Sequence, residues 1–223
     1  MTRRCLLVLV LAAIVAGGAF AQMNFSLSAG VGGSISTDNI MIISSNGYGY
    51  PSKNYSYMAD TDYTVGGYAF FDATYAELSV GISSSTVSVL YSVTGEPNSD
   101  YKYFKTDLYI GILGKIPCIR IGDKITLFPF LGLIYYNTLS VEDENGGKYP
   151  KPGKFNQLWG QTGWGMDISI NPNIYLRAKL LLGARLPTEY EKDILKGFPS
   201  DADNSILDSI FKYGANIAVG YRF

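Results

Sequence analysis

The chain ends on a run that alternates without a break. In FKYGANIAVGYRF, residues 211–223, Phe211, Tyr213, Ala215, Ile217, Val219, Tyr221 and Phe223 fall on one parity. Lys212, Gly214, Asn216, Ala218, Gly220 and Arg222 fall on the other. Side chains of a strand point alternately to opposite faces, so the run predicts a strand with one apolar face and one small or polar face. Aromatic residues stand at both ends of the apolar face and the chain stops on one of them. A water-soluble domain gains little from such a strand. A membrane-spanning barrel uses it to close against the first strand, with the aromatics at the lipid interfaces.

The other end reads as an export signal. Arg3 and Arg4 precede the apolar run CLLVLVLAAI (5–14), and Ala19-Phe20-Ala21 supplies the small-residue cleavage pattern. Cleavage between Ala21 and Gln22 leaves residues 22–223 as one domain after a signal of residues 1–21. No later stretch approaches the roughly 20 apolar residues of a spanning helix, although the chain is 47% hydrophobic and holds 18 Tyr and 25 Gly. An exported chain of this kind is either a soluble secreted β-protein or a barrel.

Composition removes several chemistries. Histidine is absent, which excludes Ser-His hydrolysis and His-ligated metals. Cys118 is the one cysteine after the signal, so neither an internal disulfide nor a thiolate metal cluster is expected. Net charge is −1 with no basic run, which argues against nucleic acid. No phosphate-cradling loop or other cofactor motif is present; the glycines fall within strands, where they ease packing in a narrow barrel.

Eight alternating runs can be marked: 24–36, 63–71, 75–91, 103–115, 125–139, 157–170, 174–186 and 211–223. The run Ser83 to Ser85 blurs the third and suggests a bulge, with Val87 and Val89 resuming one face beyond it. The fifth is apolar on both faces near Phe128 to Tyr136. Pro117 ends the fourth or kinks it, and Ile119-Arg120-Ile121 leads to a turn at Gly122-Asp123. The connections alternate in length. Those at 37–62, 92–102, 140–156 and 187–210 are long; those near 72–74, 122–124 and 171–173 are short. The apolar patch Ile40 to Ile43 either extends the first strand or packs its loop, and SILDSIF (205–211) has helical spacing. Alternating long and short connections predict an all-β, eight-stranded antiparallel up-and-down transmembrane β-barrel, with short periplasmic turns and four long extracellular loops.

On these features the chain resembles the small eight-stranded outer-membrane barrels, the OmpA-transmembrane, OmpX and OmpW-like group. FFDATYAELSVGI (70–82) and TLFPFLGLIYY (126–136) resemble small barrel proteins of spirochaetes, especially treponemes. The resemblance implies an outer-membrane location in a Gram-negative-type bacterium with cell-surface loops. It also implies outer-membrane lipid and the barrel-assembly machinery as partners, with Tyr221 and Phe223 as the assembly signal.

Inward parity collects one constellation: Glu77, Lys105, Asp107, Asp167, Arg177, Lys179, Arg185, Lys212 and Arg222. An eight-stranded barrel is just wide enough for side chains to fill it, and buried charge persists when paired. These residues either plug the lumen as ion pairs or line a permeation path. Three functions stay open: a non-enzymatic structural or slowly permeating barrel; a conduit for small hydrophobic molecules with an apolar cavity near Trp159, Tyr175 and Leu181; and an adhesin that binds host ligands through loops 37–62 and 187–210.

Overall fold

The computed structural model describes residues 26–46, 54–93, 99–185, 188–189 and 206–223. The expected signal segment with its cleavage site at Ala21 and Gln22, and Tyr48 and Tyr50 of the expected first loop, lie outside them. Nine strand segments follow in order: β1 (Leu27–Asn46), β2 (Asn54–Ala73), β3 (Ala76–Val93), β4 (Ser99–Lys115), β5 (Ile119–Ile121), β6 (Ile125–Asp143), β7 (Gln157–Ser169), β8 (Ile174–Arg185) and β9 (Ile206–Arg222). Each main strand pairs antiparallel with its sequence neighbours, β1 pairs with β9 and β4 with β6. The ladder thus closes on itself as an eight-stranded up-and-down barrel.

The ninth segment, β5, continues β4 beyond an interruption at Pro117. Ile116 N donates to Pro129 O at 3.2 Å and Cys118 N to Leu127 O at 3.1 Å, and Ile119 and Ile121 then pair with Leu127 and Ile125. Pro117 has no N–H to give the ladder, so the strand is broken while its course along β6 is kept.

The terminal run takes the orientation its alternation predicts. Phe211, Tyr213, Ile217, Val219, Tyr221 and Phe223 are exposed on the outer wall, while Lys212 and Ala218 are buried. The rest of the wall matches. Val31, Ile35, Leu78, Val80, Ile110, Leu131 and Leu133 all face outward, and Leu180 and Ile217 are 69% and 68% exposed. Such a surface around a charged interior is the inverse of a water-soluble protein and is the outer face of a transmembrane barrel. Tyr63, Phe104, Phe211 and Tyr213 lie toward the long-loop end of this wall. Phe71, Tyr221 and Phe223 lie toward the end with the short turns and the C-terminus.

Strand lengths depart from the sequence reading. β1 and β2 run 20 residues each, β3 18, β6 19 and β9 17, against the ~9–11 that cross a membrane. Most of loop 37–62 is therefore strand: the Ile40 to Ile43 patch pairs with Ser56 to Ala59. The SILDSIF helix is corrected too, since Ile206, Leu207 and Asp208 pair with Ile43, Ile42 and Met41 as β9. β3 carries no bulge at Ser83 to Ser85. Ser83, Ser85 and Val87 all face inward, and the register shift lies opposite, between Thr61 and Tyr63 of β2.

The fifth run is ambiguous in sequence because the interior is partly apolar. Phe128 and Phe130 pack inward with Leu113 and Leu181. Inward glycines make room for the rings: a Cβ on Gly81 would stand 2.6 Å from the Tyr109 ring, and one on Gly165 would enter the Phe128 ring. Gly165→Val should accordingly cost about 1–3 kcal/mol by overpacking. Urea unfolding of the refolded variant measures it, and an unchanged midpoint would contradict the interlock.

Candidate functional site: the charged lumen

Alternation brings the predicted charges indoors, and the register sorts them into levels. Asp72 and Glu77 face each other across β2 and β3, and Asp167 and Arg177 across β7 and β8. Toward the turn end these two pairs meet across the lumen. Arg177 holds Asp167 with two bonds, Nε to Oδ1 and Nη2 to Oδ2, both 2.7 Å. Its Nη1 donates to Glu77 Oε2 at 2.7 Å and its Nη2 to Asp72 Oδ2 at 2.5 Å. Lys179 Nζ lies 2.6 Å from Glu77 Oε1, and Lys115 Nζ 2.5 Å from Asp72 Oδ2.

Three carboxylates thus face three cations in a neutral network. Arg177 is 1% exposed, and its guanidinium lies 5.1–5.2 Å from the ring centres of Phe70, Tyr175 and Phe128. The planar fork and weak hydration of arginine suit it to several carboxylates and ring faces at once. Desolvating such charges is costly, and the pairing and ring faces offset that cost.

Two network members escape the sequence reading. Asp72 reads as a turn former because the second run stops at Phe71, and Lys115 reads as a strand end before Pro117. Both lie on the inward parity: Asp72 with Phe70 on β2, which runs past the predicted end at Phe71, and Lys115 with Leu113 as the last residue of β4. Extending the second alternation by one residue finds Asp72, and reading the fourth to its last residue finds Lys115.

The other predicted charges lie elsewhere. Toward the loop end, Lys105 Nζ lies 3.1 Å from Asp107 Oδ2, and Asp107 Oδ1 accepts from Thr138 Oγ1 at 2.7 Å. Lys212 sits over the rings of Tyr136 and Trp159, at 4.7 and 5.2 Å, and Arg185 over Trp159 at 5.5 Å. Arg222 is half-buried at the turn end, apart from the network, with Nη1 on Ser169 Oγ at 2.8 Å and its guanidinium 4.6 Å from the Tyr175 ring.

Between the two charged levels, the lumen holds a cavity of about 30 Å³ lined by Tyr68, Ser83, Gln161 and Asn216, among others. A void of this size has room for little more than a water. The apolar cavity expected near Trp159, Tyr175 and Leu181 is not formed by those residues. Trp159 lies beneath Lys212 and Arg185. Tyr175 hydrogen-bonds Ser28 at 2.9 Å beside Arg177, and Leu181 belongs to the aromatic cluster between them.

No protein-family model and no curated protein matches the chain. Among solved structures it is similar to the outer membrane protein OprG of Pseudomonas aeruginosa, 10% identical over 89% of this chain and 95% of that one, with a TM-score of 0.44. It is also similar to Ail, the attachment invasion locus protein of Yersinia pestis, 15% identical over 90% and 100%, TM-score 0.35. The outer membrane protease OmpT of Escherichia coli is 9% identical over 91% and 99%, TM-score 0.38. The barrel assignment itself rests on the chain's own strand pairing.

Proposed function

We propose that the chain is a non-enzymatic outer-membrane barrel with a plugged lumen, whose role is structural. In this reading its turn end faces the periplasm and its long loops face outward. Outer-membrane lipid surrounds the wall, and Tyr221 and Phe223 close the strand that the assembly machinery handles. The carrying observation is the neutral six-residue network that joins β2, β3, β4, β7 and β8 across the lumen. The cavity of about 30 Å³ above it, with room for little more than a water, supports the same reading. In planar bilayers the refolded protein should show no steady conductance. A sustained open-channel current from the unaltered chain would overturn the plugged reading in favour of slow permeation.

Strand length favours a second role at the loop end. β1 and β2 exceed the membrane-spanning length and continue beyond the apolar wall, which suits a surface-binding or adhesive protein. Host-ligand binding that survives deletion of residues 47–53 and of residues 190–204 would remove this second role.

A further inference from the structure

We propose that the cup at the turn end of the barrel binds a small zwitterion carrying a protonated amine and a phosphate or carboxylate. The cup measures about 320 Å³ and is walled by the start of β1, the β2–β3 turn, the β5 hairpin and the end of β9. Small-molecule sites begin at about 300 Å³. The cup is blind, because Asp72, Asp167 and Arg177 of the ion network form its floor. A blind polar cup holds a ligand, whereas a pore mouth passes one on.

The floor and the rim ask for opposite charges. Asp72 is 3% exposed, and its Oδ2 receives both Lys115 and Arg177, while its Oδ1 is buried with no hydrogen-bond partner. A buried carboxylate oxygen without a donor is costly; Oδ1 is covered by protein, so a ligand amine on the floor reaches it by a small turn of the Asp72 carboxylate, whose residue lines the cup. The rim supplies Arg120, exposed on β5, and Arg222, which spends Nη1 on Ser169 and keeps other N–H groups for an acceptor. Counting floor and rim together, four cations line the cup against three carboxylates. A lone cation is disfavoured by that excess, and a lone anion leaves Asp72 Oδ1 unsatisfied. A zwitterion answers both, with its amine on Asp72 and its anionic group toward Arg120 and Arg222.

The same chemistry arises in a free solute and in an ethanolamine phospholipid headgroup. Calorimetric titration of the full refolded barrel in phosphatidylcholine vesicles tests the site with O-phosphoethanolamine and β-alanine. Inorganic phosphate and ethylammonium serve as the separated halves, and phosphocholine as a zwitterion without an N–H donor. Both primary-amine zwitterions should bind, each at least tenfold tighter than either half, and phosphocholine should not. Arg120→Gln, which lies outside the ion network, should weaken binding at least tenfold with unchanged thermal stability. Loss of free-ligand binding on adding phosphatidylethanolamine to the vesicles would assign the site to the headgroup; retained binding would assign it to the solute. No binding of either zwitterion, phosphate binding as tightly as O-phosphoethanolamine, or an Arg120→Gln variant that binds like the parent would each overturn the proposal.

Discussion

Arg177→Met should destabilise the folded barrel by roughly 3–5 kcal/mol, the cost of breaking a buried ion network by removing one partner. The side chain that remains fills similar space, so the loss is electrostatic. Asp72 keeps Lys115 and Glu77 keeps Lys179, but Asp167 loses both of its ion-pair bonds. That asymmetry makes the expectation specific. Adding Asp167→Asn to Arg177→Met restores neutrality with two intact pairs, and the double variant should recover most of the loss. Arg177→Lys should fall between, since an ammonium lacks the planar fork that reaches three carboxylates. Urea unfolding followed by fluorescence reads the series, because Trp159 lies inside the barrel and Trp164 on its outer wall. A double variant no more stable than Arg177→Met would show that Asp167 is not the carboxylate left stranded.

Ile217→Arg should cost about 2–4 kcal/mol in phospholipid vesicles, the penalty for a cation on the lipid face near the bilayer midplane. Ile217 is 68% exposed and lies midway along the membrane part of β9, opposite Gly33 on β1 and Ala178 on β8. In a water-soluble β-protein the same exposed substitution falls within about 0.5 kcal/mol of neutral. The two solvents therefore give different answers from one variant, and a neutral result in vesicles would remove the membrane-spanning reading.

The features legible in sequence are those set by a strict period of two. The faces of β8 and β9 and the inward positions of Glu77, Asp107, Arg177 and Lys179 follow from parity alone, and the structure agrees at each. Strand ends are a different matter. Above the membrane β1 and β2 no longer need an apolar outer face, so their Ser, Asn and Tyr composition reads as loop even though the backbone ladder continues from Asp38–Thr61 to Asn46–Asn54. SILDSIF fails as a helix for the related reason that β1 continues past the membrane and offers it ladder partners from Asn39 to Ile43. Tertiary pairing of this kind overrides local spacing. Asp72 is hidden by the same uncertainty about where strands stop, and Lys115 by its place as the last residue before Pro117.

Every charged member of the central network stands on a strand of the wall; none comes from a loop or an inserted segment. The stopper and the cylinder are thus one piece of material. Among the described residues no separate body fills the bore, so in the plugged reading opening it means rearranging side chains anchored on the wall itself. In the plugged reading we propose, permeability is set when the ladder closes, and the connections between strands are free to change in length and chemistry without altering it.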